Sequence, residues 1–202
     1  MLLDVPSELA DGVGAVEKVY DNRHYLRRHP LPPGCVHTLT KDTPMPRAPF
    51  QILVVPFRHV GDQLEFAVLR REDMNVWQAV AGGGEDNETP EQAALREATE
   101  ELGLDHPTPL YPLQTTASVP ARFFADRIHW PAGTYVVPEY SFAIDLTGIE
   151  AAISHEHTAL EWRDYDTAHE VLRFDSNRTA LSELHERLLA IDLPHPVKSD
   201  RP

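Results

Sequence analysis

The segment GGGEDNETPEQAALREATEELGL, from Gly82 to Leu104, restricts the local structure of this chain more than any other. Thr89 is a helix N-cap residue, Pro90 suits the first helical position, and Gln92 completes a capping box. Gly103 suits the left-handed conformation that commonly terminates a helix. The segment therefore predicts a glycine-rich loop followed by a helix that begins at Pro90 and ends just before Gly103.

The predicted helix carries Glu97, Glu100 and Glu101 at i, i+3 and i+4, so these side chains share one face. Each like-charged pair at ~4 Å costs ~1 kcal/mol in water and ~4 kcal/mol at an effective dielectric of ~20. The helix dipole also disfavours anions in the C-terminal half of a helix. A divalent cation reverses this repulsion, and magnesium prefers carboxylate oxygens as ligands. The spacing indicates a metal site, with a solvated acidic face as the alternative.

A second face of the same helix is apolar and predicts packing on a sheet: Ala94, Leu95, Ala98 and Leu102. Strand patterns are present on both sides of it, over residues 51–57, 64–71, 76–81, 110–118, 135–146 and 159–165. Two more helical patterns follow, over residues 166–172 and 178–190. Strands interrupted by few helices predict an α/β domain with a mixed sheet.

We expect this domain to span residues 47–193. Residues 1–46 are rich in proline and contain a short basic stretch, so we interpret them as an N-terminal arm packed on the domain. A homodimer contact through this arm is the alternative. Residues 194–202 are interpreted as a C-terminal tail.

The composition limits which kinds of binding partner and which cellular compartment are expected. A formal net charge of −14 disfavours DNA or RNA polymers as partners. No apolar run reaches the ~18 residues that a membrane span needs, and no secretory leader is present, so no membrane partner is expected. The single cysteine, Cys35, excludes an internal disulfide and fits a reducing cytoplasm.

The segment also matches the Nudix box, G-x5-E-x7-R-E-U-x-E-E-x-G-U, in which U is an aliphatic residue. All nine specified positions are filled at the right spacing: Gly82, Glu88, Arg96, Glu97, Ala98, Glu100, Glu101, Gly103 and Leu104. Such a match by chance in a chain of this length is rarer than about 1 in 100,000. The sequence therefore resembles the Nudix hydrolase family over roughly residues 47–192.

The resemblance implies the Nudix fold, an α/β/α sandwich, and cleavage of a phosphoanhydride in a nucleotide-like small molecule. It implies a magnesium ion, for which manganese can substitute, held by the box glutamates 97, 100 and 101 and by the carbonyl of Gly82. Glu88 and Arg96 correspond to the family's internal pair that supports the loop. Asn87 replaces a usual glycine, and asparagine tolerates positive φ better than most residues.

The residue that activates water remains open at the sequence level. Glu97 is one candidate, and Glu139 and Glu156 are the candidates outside the box. Glu156 is assigned to the catalytic group together with Arg96 and the three box glutamates, whereas Glu139 is assigned to substrate binding. For both Glu139 and Glu156, the alternative interpretation is an ordinary surface carboxylate with no role in the site.

The flanking segments RREDMNVWQAVAGG, SHEHTALEWRDYDTA and DSNRTAL resemble the branch of dihydroneopterin triphosphate and deoxynucleoside triphosphate pyrophosphatases. In this interpretation Arg71, or its neighbour Arg70, binds phosphate, and Trp77 stacks on the heterocycle. The alternative for the arginine is a side chain exposed to solvent, and the alternative for Trp77 is an aromatic side chain packed in the core. Ser176, Asn177 and Arg178 either belong to this signature or cap the last helix.

Two other functions remain open. One is an ADP-ribose or nucleoside-diphosphate-sugar diphosphatase, a branch that carries a proline where Pro120 stands, although the glycine and acidic residues that usually follow are missing. The other is a binding or regulatory module that has kept the fold and lost catalysis. The three intact box glutamates argue against that second alternative.

Overall fold

The computed structural model describes residues 47–85, 87–106, 108–154 and 157–197. The predicted N-terminal arm and Glu156 lie outside these ranges. Three helices are present in the described part: α1 Pro90–Leu102, α2 Tyr165–Val171 and α3 Asp175–Ala190. The strands are β1 Gln51–Val60, β2 Gln63–Arg71, β3 Trp77–Gln78, β4 Val80–Gly83, β5 Leu110–Pro120, β6 Val136–Asp145 and β7 His157–Arg163.

The strands form one mixed sheet, as the sequence predicts. Its main order is β3-β2-β1-β6-β5, with β4 paired to β1 and β7 paired to β2. β1 runs parallel to β6 and antiparallel to β2 and β4. One row of this register aligns Gln51 of β1 with Gly83 of β4 and Glu139 of β6. The start of the glycine-rich loop and the predicted acidic residue therefore lie on the two strands that flank the first residue of β1.

Alternate side chains of β1 enter two different cores. Ile52 and Val54 join the cluster beneath α1, whereas Leu53, Val55 and Phe57 join the cluster beneath α2 and α3. Successive residues of a strand point to opposite faces, so one buried strand serves both layers. The helices cover both faces of the sheet, and the predicted α/β/α sandwich is confirmed.

The limits predicted for α1 are also confirmed. The side chain of Thr89 accepts a hydrogen bond from the backbone of Gln92, and the Gln92 side chain accepts one from the backbone of Thr89. Gly103 adopts φ 61° and closes the helix. The buried face differs slightly from the prediction, because Ala93 is fully buried and Leu95 is only half-buried.

Two predictions for the α2–α3 side were wrong in detail. The strand predicted over 76–81 is broken at Ala79, whose N–H donates to the buried Asn177 Oδ1 at 2.9 Å. α3 begins at Asp175, with Phe174 at its N-cap and no side-chain cap. Ser176, Asn177 and Arg178 therefore lie in its first turn and do not cap it. No helix within the described ranges is long and apolar enough to cross a membrane.

Candidate active site

Arg96 ties the glycine-rich loop to α1. Its Nε donates to Glu88 Oε1 at 2.9 Å and its Nη2 donates to Glu88 Oε2 at 3.0 Å. The same Nη2 donates to the carbonyl of Gly83 at 2.8 Å. The hydrogen bonds from Arg96 hold the pKa of Glu88 below its ordinary value, against the opposing effect of burial. The loop therefore rests on a bidentate ion pair of the kind that gives orientation as well as energy.

The loop conformation explains why asparagine is acceptable in place of glycine. Asn87 adopts φ 71°, in the left-handed region, as expected from its tolerance of that conformation. The next residue, Glu88, then accepts a hydrogen bond from the backbone of Glu85 at 2.9 Å. Glu88 thus bonds to both the loop backbone and the guanidinium of Arg96.

Glu97 lies against Gly82, the first residue of the box. A Cβ at Gly82 would overlap the Glu97 carboxyl, so glycine is required here for close approach. Burial raises the pKa of Glu97, and the charge and hydrogen bond of Arg96 oppose this shift. Arg96 Nη1 lies 3.0 Å from Glu97 Oε1. The backbone of the loop and the carboxylate of the helix are therefore side by side.

The three box glutamates differ in their surroundings more than the sequence predicts. The Glu97 side chain is 17% exposed, that of Glu100 is 60% exposed and that of Glu101 is 6% exposed. Glu101 faces the sheet, where its Oε2 lies 3.7 Å from His157 Nε2. Residues three and seven positions before Glu101 in α1, Ala98 and Ala94, are buried, so Glu101 shares their side of the helix.

The three carboxylates share one side of α1 but differ in their partners. Arg96 Nη1 lies between Glu97 and Glu100, at 3.0 and 3.3 Å. Within the described ranges, no three Asp, Glu, His or Cys side chains are arranged closely enough to hold a metal ion. The donor types nevertheless fit a hard divalent cation, because the neighbouring groups are carboxylate and carbonyl oxygens.

Glu139 is a buried carboxylate on β6, only 3% exposed. Its Oε2 accepts a hydrogen bond from Gln51 Nε2 at 2.9 Å. Burial raises the pKa of Glu139, and interactions with Ser176 and Gln51 only partly offset this rise. The interpretation of Glu139 as a plain surface carboxylate is therefore excluded by its burial.

Arg71 and Trp77, the residues predicted to contact the substrate, lie on β2 and β3. Arg71 forms a bidentate ion pair with Asp73, with both contacts at 2.8 Å. Trp77 is half-buried against the α2–α3 core, and the Cζ atoms of Arg163 and Arg70 lie 5.5 and 5.9 Å from its ring centroid. Trp77 thus packs on the face of the sheet opposite to α1.

Sequence reasoning missed Arg47 and Gln51. Arg47 Nη2 donates to Gln51 Oε1 at 3.3 Å, and Gln51 in turn binds Glu139. Arg47 comes at the end of a proline-rich stretch and Gln51 opens a strand of apolar residues, so neither belongs to a recognisable motif. A polar residue at the first position of an otherwise apolar buried strand is the one signal that marks Gln51.

Comparisons with known proteins confirm the resemblance. The model of the NUDIX domain matches residues 52–184. The chain is 30% identical over 139 residues to dihydroneopterin triphosphate diphosphatase of Escherichia coli K12, covering 68% of this chain and 92% of that protein. The crystal structure of a Nudix hydrolase from Listeria monocytogenes is 46% identical with a TM-score of 0.65, covering 73% of this chain and 99% of that one. The structure of E. coli dihydroneopterin triphosphate pyrophosphohydrolase is 29% identical with a TM-score of 0.56, covering 68% and 95%. This chain therefore belongs to the Nudix family and is a hydrolase of phosphorus-containing acid anhydrides.

Proposed function

We propose that this hydrolase is a magnesium-dependent pyrophosphohydrolase that converts a triphosphate carrying a flat heterocycle into a monophosphate and pyrophosphate. The observation that carries the reaction class is the hub at Arg96, which contacts Glu88, Glu97 and the Gly83 carbonyl at once. This hub keeps the loop beside the acidic side of α1. The substrate class is supported by the E. coli relative, which is named for dihydroneopterin triphosphate.

Glu97, Glu100 and Glu101, with the carbonyl of Gly82, are the proposed holders of the ion. Bound magnesium would neutralise phosphate oxygens and activate the attacking water. Because Arg96 Nη1 lies between Glu97 and Glu100, this contact has to open when the site is loaded. The guanidinium would keep its bonds to Glu88 in that event, and the loop would stay supported.

Metal dependence is tested by measuring turnover and thermal unfolding with EDTA and with added magnesium or manganese. We expect no turnover in EDTA, recovery with either metal, and a higher Tm when the metal is present. Turnover that persists in excess EDTA would refute the metal-dependent mechanism. Glu100→Gln should lower kcat by about 100-fold or more. Glu91→Gln makes the same charge change in the first turn of α1, away from the acidic side, and should leave kcat unchanged.

The substrate class is tested by phosphorus NMR of the products from a panel of nucleoside triphosphates, dihydroneopterin triphosphate, ADP-ribose and dinucleoside polyphosphates. We expect inorganic pyrophosphate from a triphosphate. Efficient hydrolysis of ADP-ribose with all triphosphates left intact would refute the proposal and favour the sugar-diphosphatase alternative. No turnover of any substrate with the metal bound would favour a binding module.

The proposed contacts to the substrate are Trp77 for the heterocycle and Arg71 for phosphate. Trp77→Ala should raise KM about tenfold or more, as expected for the loss of base–aromatic stacking. Arg71 would have to exchange Asp73 for phosphate. The residue that accepts the proton from water is Glu97, Glu139 or Glu156, and pH–rate profiles of the three Glu→Gln variants distinguish them, since loss of the base removes the acidic limb.

A further inference from the structure

A half-buried arginine, Arg47, lies on the other side of the glycine-rich loop from Glu97. The guanidinium of Arg47 covers Gly83, and a Cβ at that residue would overlap its Nε and Cζ atoms. The ring of Phe124 contributes a second contact, with its centroid 4.8 Å from Arg47 Cζ. Gly82 accommodates Glu97 in the same way that Gly83 accommodates Arg47, so consecutive glycines allow one acidic and one basic side chain to approach the loop.

Several bonds fix the position of this arginine. The backbone carbonyl of Arg47 accepts a hydrogen bond from Trp130 Nε1 at 2.6 Å. Its Nη2 donates to Gln51 Oε1 at 3.3 Å. The orientation of the Gln51 amide is itself determined, because its nitrogen donates to Glu139 Oε2. Arg47 is therefore held both at its backbone carbonyl and at one terminal nitrogen of its guanidinium.

Unlike Arg96, Arg163 and Arg187, Arg47 has no carboxylate partner among the described residues. Arg96 pairs with Glu88, Arg163 with Glu161 and Arg187 with Glu183. In the part of the chain that the structure describes, no acidic side chain lies within ion-pair distance of Arg47, and its buried Nε has no hydrogen-bond partner. Removing part of a charged group from water without a counter-ion is costly, so a folded protein normally supplies a partner.

An anionic ligand would supply that partner. A guanidinium offers five N–H donors in a planar fork that matches two oxygens of a phosphate group. Burial lowers the pKa of Arg47, and Glu97 is the largest charge that opposes this shift, which places the guanidinium within electrostatic range of the proposed metal site. Arginine remains protonated at neutral pH even so. The geometry points to Arg47 as a binding residue for the phosphate chain of the substrate, an assignment that rests on the proposed pyrophosphohydrolase function.

The experiment measures binding of inorganic pyrophosphate with magnesium by titration calorimetry, for the full-length wild type and for variants. Arg47→Met should weaken pyrophosphate binding about tenfold or more, because charge-assisted hydrogen bonds are lost. Arg47→Lys should bind with intermediate affinity, since it keeps the charge and loses the fork. The Arg47→Lys variant keeps the positive charge and so provides a second test if Arg47→Met fails to fold. The Tm of each variant shows whether it is folded.

The matched control is Arg122→Met. Arg122 is also an arginine over a phenylalanine, with its Cζ 5.0 Å from the ring centroid of Phe123, but it is exposed. Its loss changes the net charge equally and should leave pyrophosphate affinity unchanged. Equal affinities of Arg47→Met and wild type, equal losses in Arg47→Met and Arg122→Met, or no pyrophosphate binding by the wild type would each overturn the inference.

The two proposals fail separately in this design. If the wild type binds pyrophosphate, Arg47→Met does not, and no triphosphate is hydrolysed, then Arg47 is a phosphate-binding residue and the proposed substrate class is wrong. If a triphosphate is hydrolysed to pyrophosphate and Arg47→Met retains wild-type affinity and KM, then the proposed function holds and the assignment of Arg47 is refuted.

Discussion

Glu183 on α3 replaces strand pairing in the irregular middle part of β5. Its carboxylate accepts hydrogen bonds from Gln114 N and Thr115 N, both at 2.7 Å, and from Thr115 Oγ1 at 2.6 Å. Arg187 Nε adds a fourth bond at 2.8 Å. One side chain thus satisfies two backbone N–H groups and connects α3 to β5.

Replacing Glu183 with alanine should therefore lower the free energy of unfolding substantially. Hydrogen bonds to a charged group contribute ~1.5–3 kcal/mol each. The Glu183 side chain is 16% exposed, so water can replace part of what is lost, and the lower value applies. Counting only the two backbone donors, we expect a loss of about 3 kcal/mol. Urea denaturation at neutral pH, followed by circular dichroism, measures it.

Glu186→Ala is the control for this measurement, because Glu186 is exposed and lies on the same helix. It removes the same charge and should change stability by less than ~0.5 kcal/mol. If the two variants unfold at the same urea concentration, the reasoning from the carboxylate bonds is wrong.

The same residue predicts a pH dependence. Burial raises the pKa of Glu183, but the hydrogen bonds from Thr115, Gln114 and Arg187 outweigh it, and the net pKa is lowered. A lowered folded-state pKa stabilises the protein above the unfolded-state pKa of about 4.3. The stability difference between wild type and Glu183→Ala should thus be full at neutral pH and shrink as the pH falls through the folded-state pKa. A difference that stays constant down to pH ~3 would contradict this.

Three further outcomes are expected. Asn177→Ala leaves the buried Ala79 N–H unsatisfied and should cost about 1–3 kcal/mol in urea denaturation, and an unchanged midpoint would contradict it. Gly82→Ala should displace Glu97 and abolish turnover while circular dichroism shows a folded protein, so normal turnover would refute the close-approach argument. Glu88→Gln should destabilise the protein at neutral pH, and the difference from wild type should diminish in acid, because the pKa of Glu88 is lowered in the folded state.

Local features of the sequence were sufficient to predict α1 and its loop. Thr89, Gln92 and Gly103 act on backbone groups within a few residues of themselves, so their effect is the same in any fold that contains the helix. The Glu88–Arg96 contact also spans only eight residues. The continuous apolar run of β1 likewise predicts a buried strand. These parts need no knowledge of the tertiary arrangement.

The tertiary structure decided which distant groups meet. Gln51 and Glu139 are 88 residues apart, and the parallel register of β1 and β6 makes them neighbours. The break at Ala79 depends on Asn177, 98 residues away. Helical spacing alone placed Glu101 beside Glu97, but only the packing of α1 on the sheet brought Glu101 to 3.7 Å from His157. Such contacts depend on strand order and on which face each helix covers. Strand order and helix placement are determined by burial of the apolar surface of the whole domain, because no single segment can bury its own apolar face.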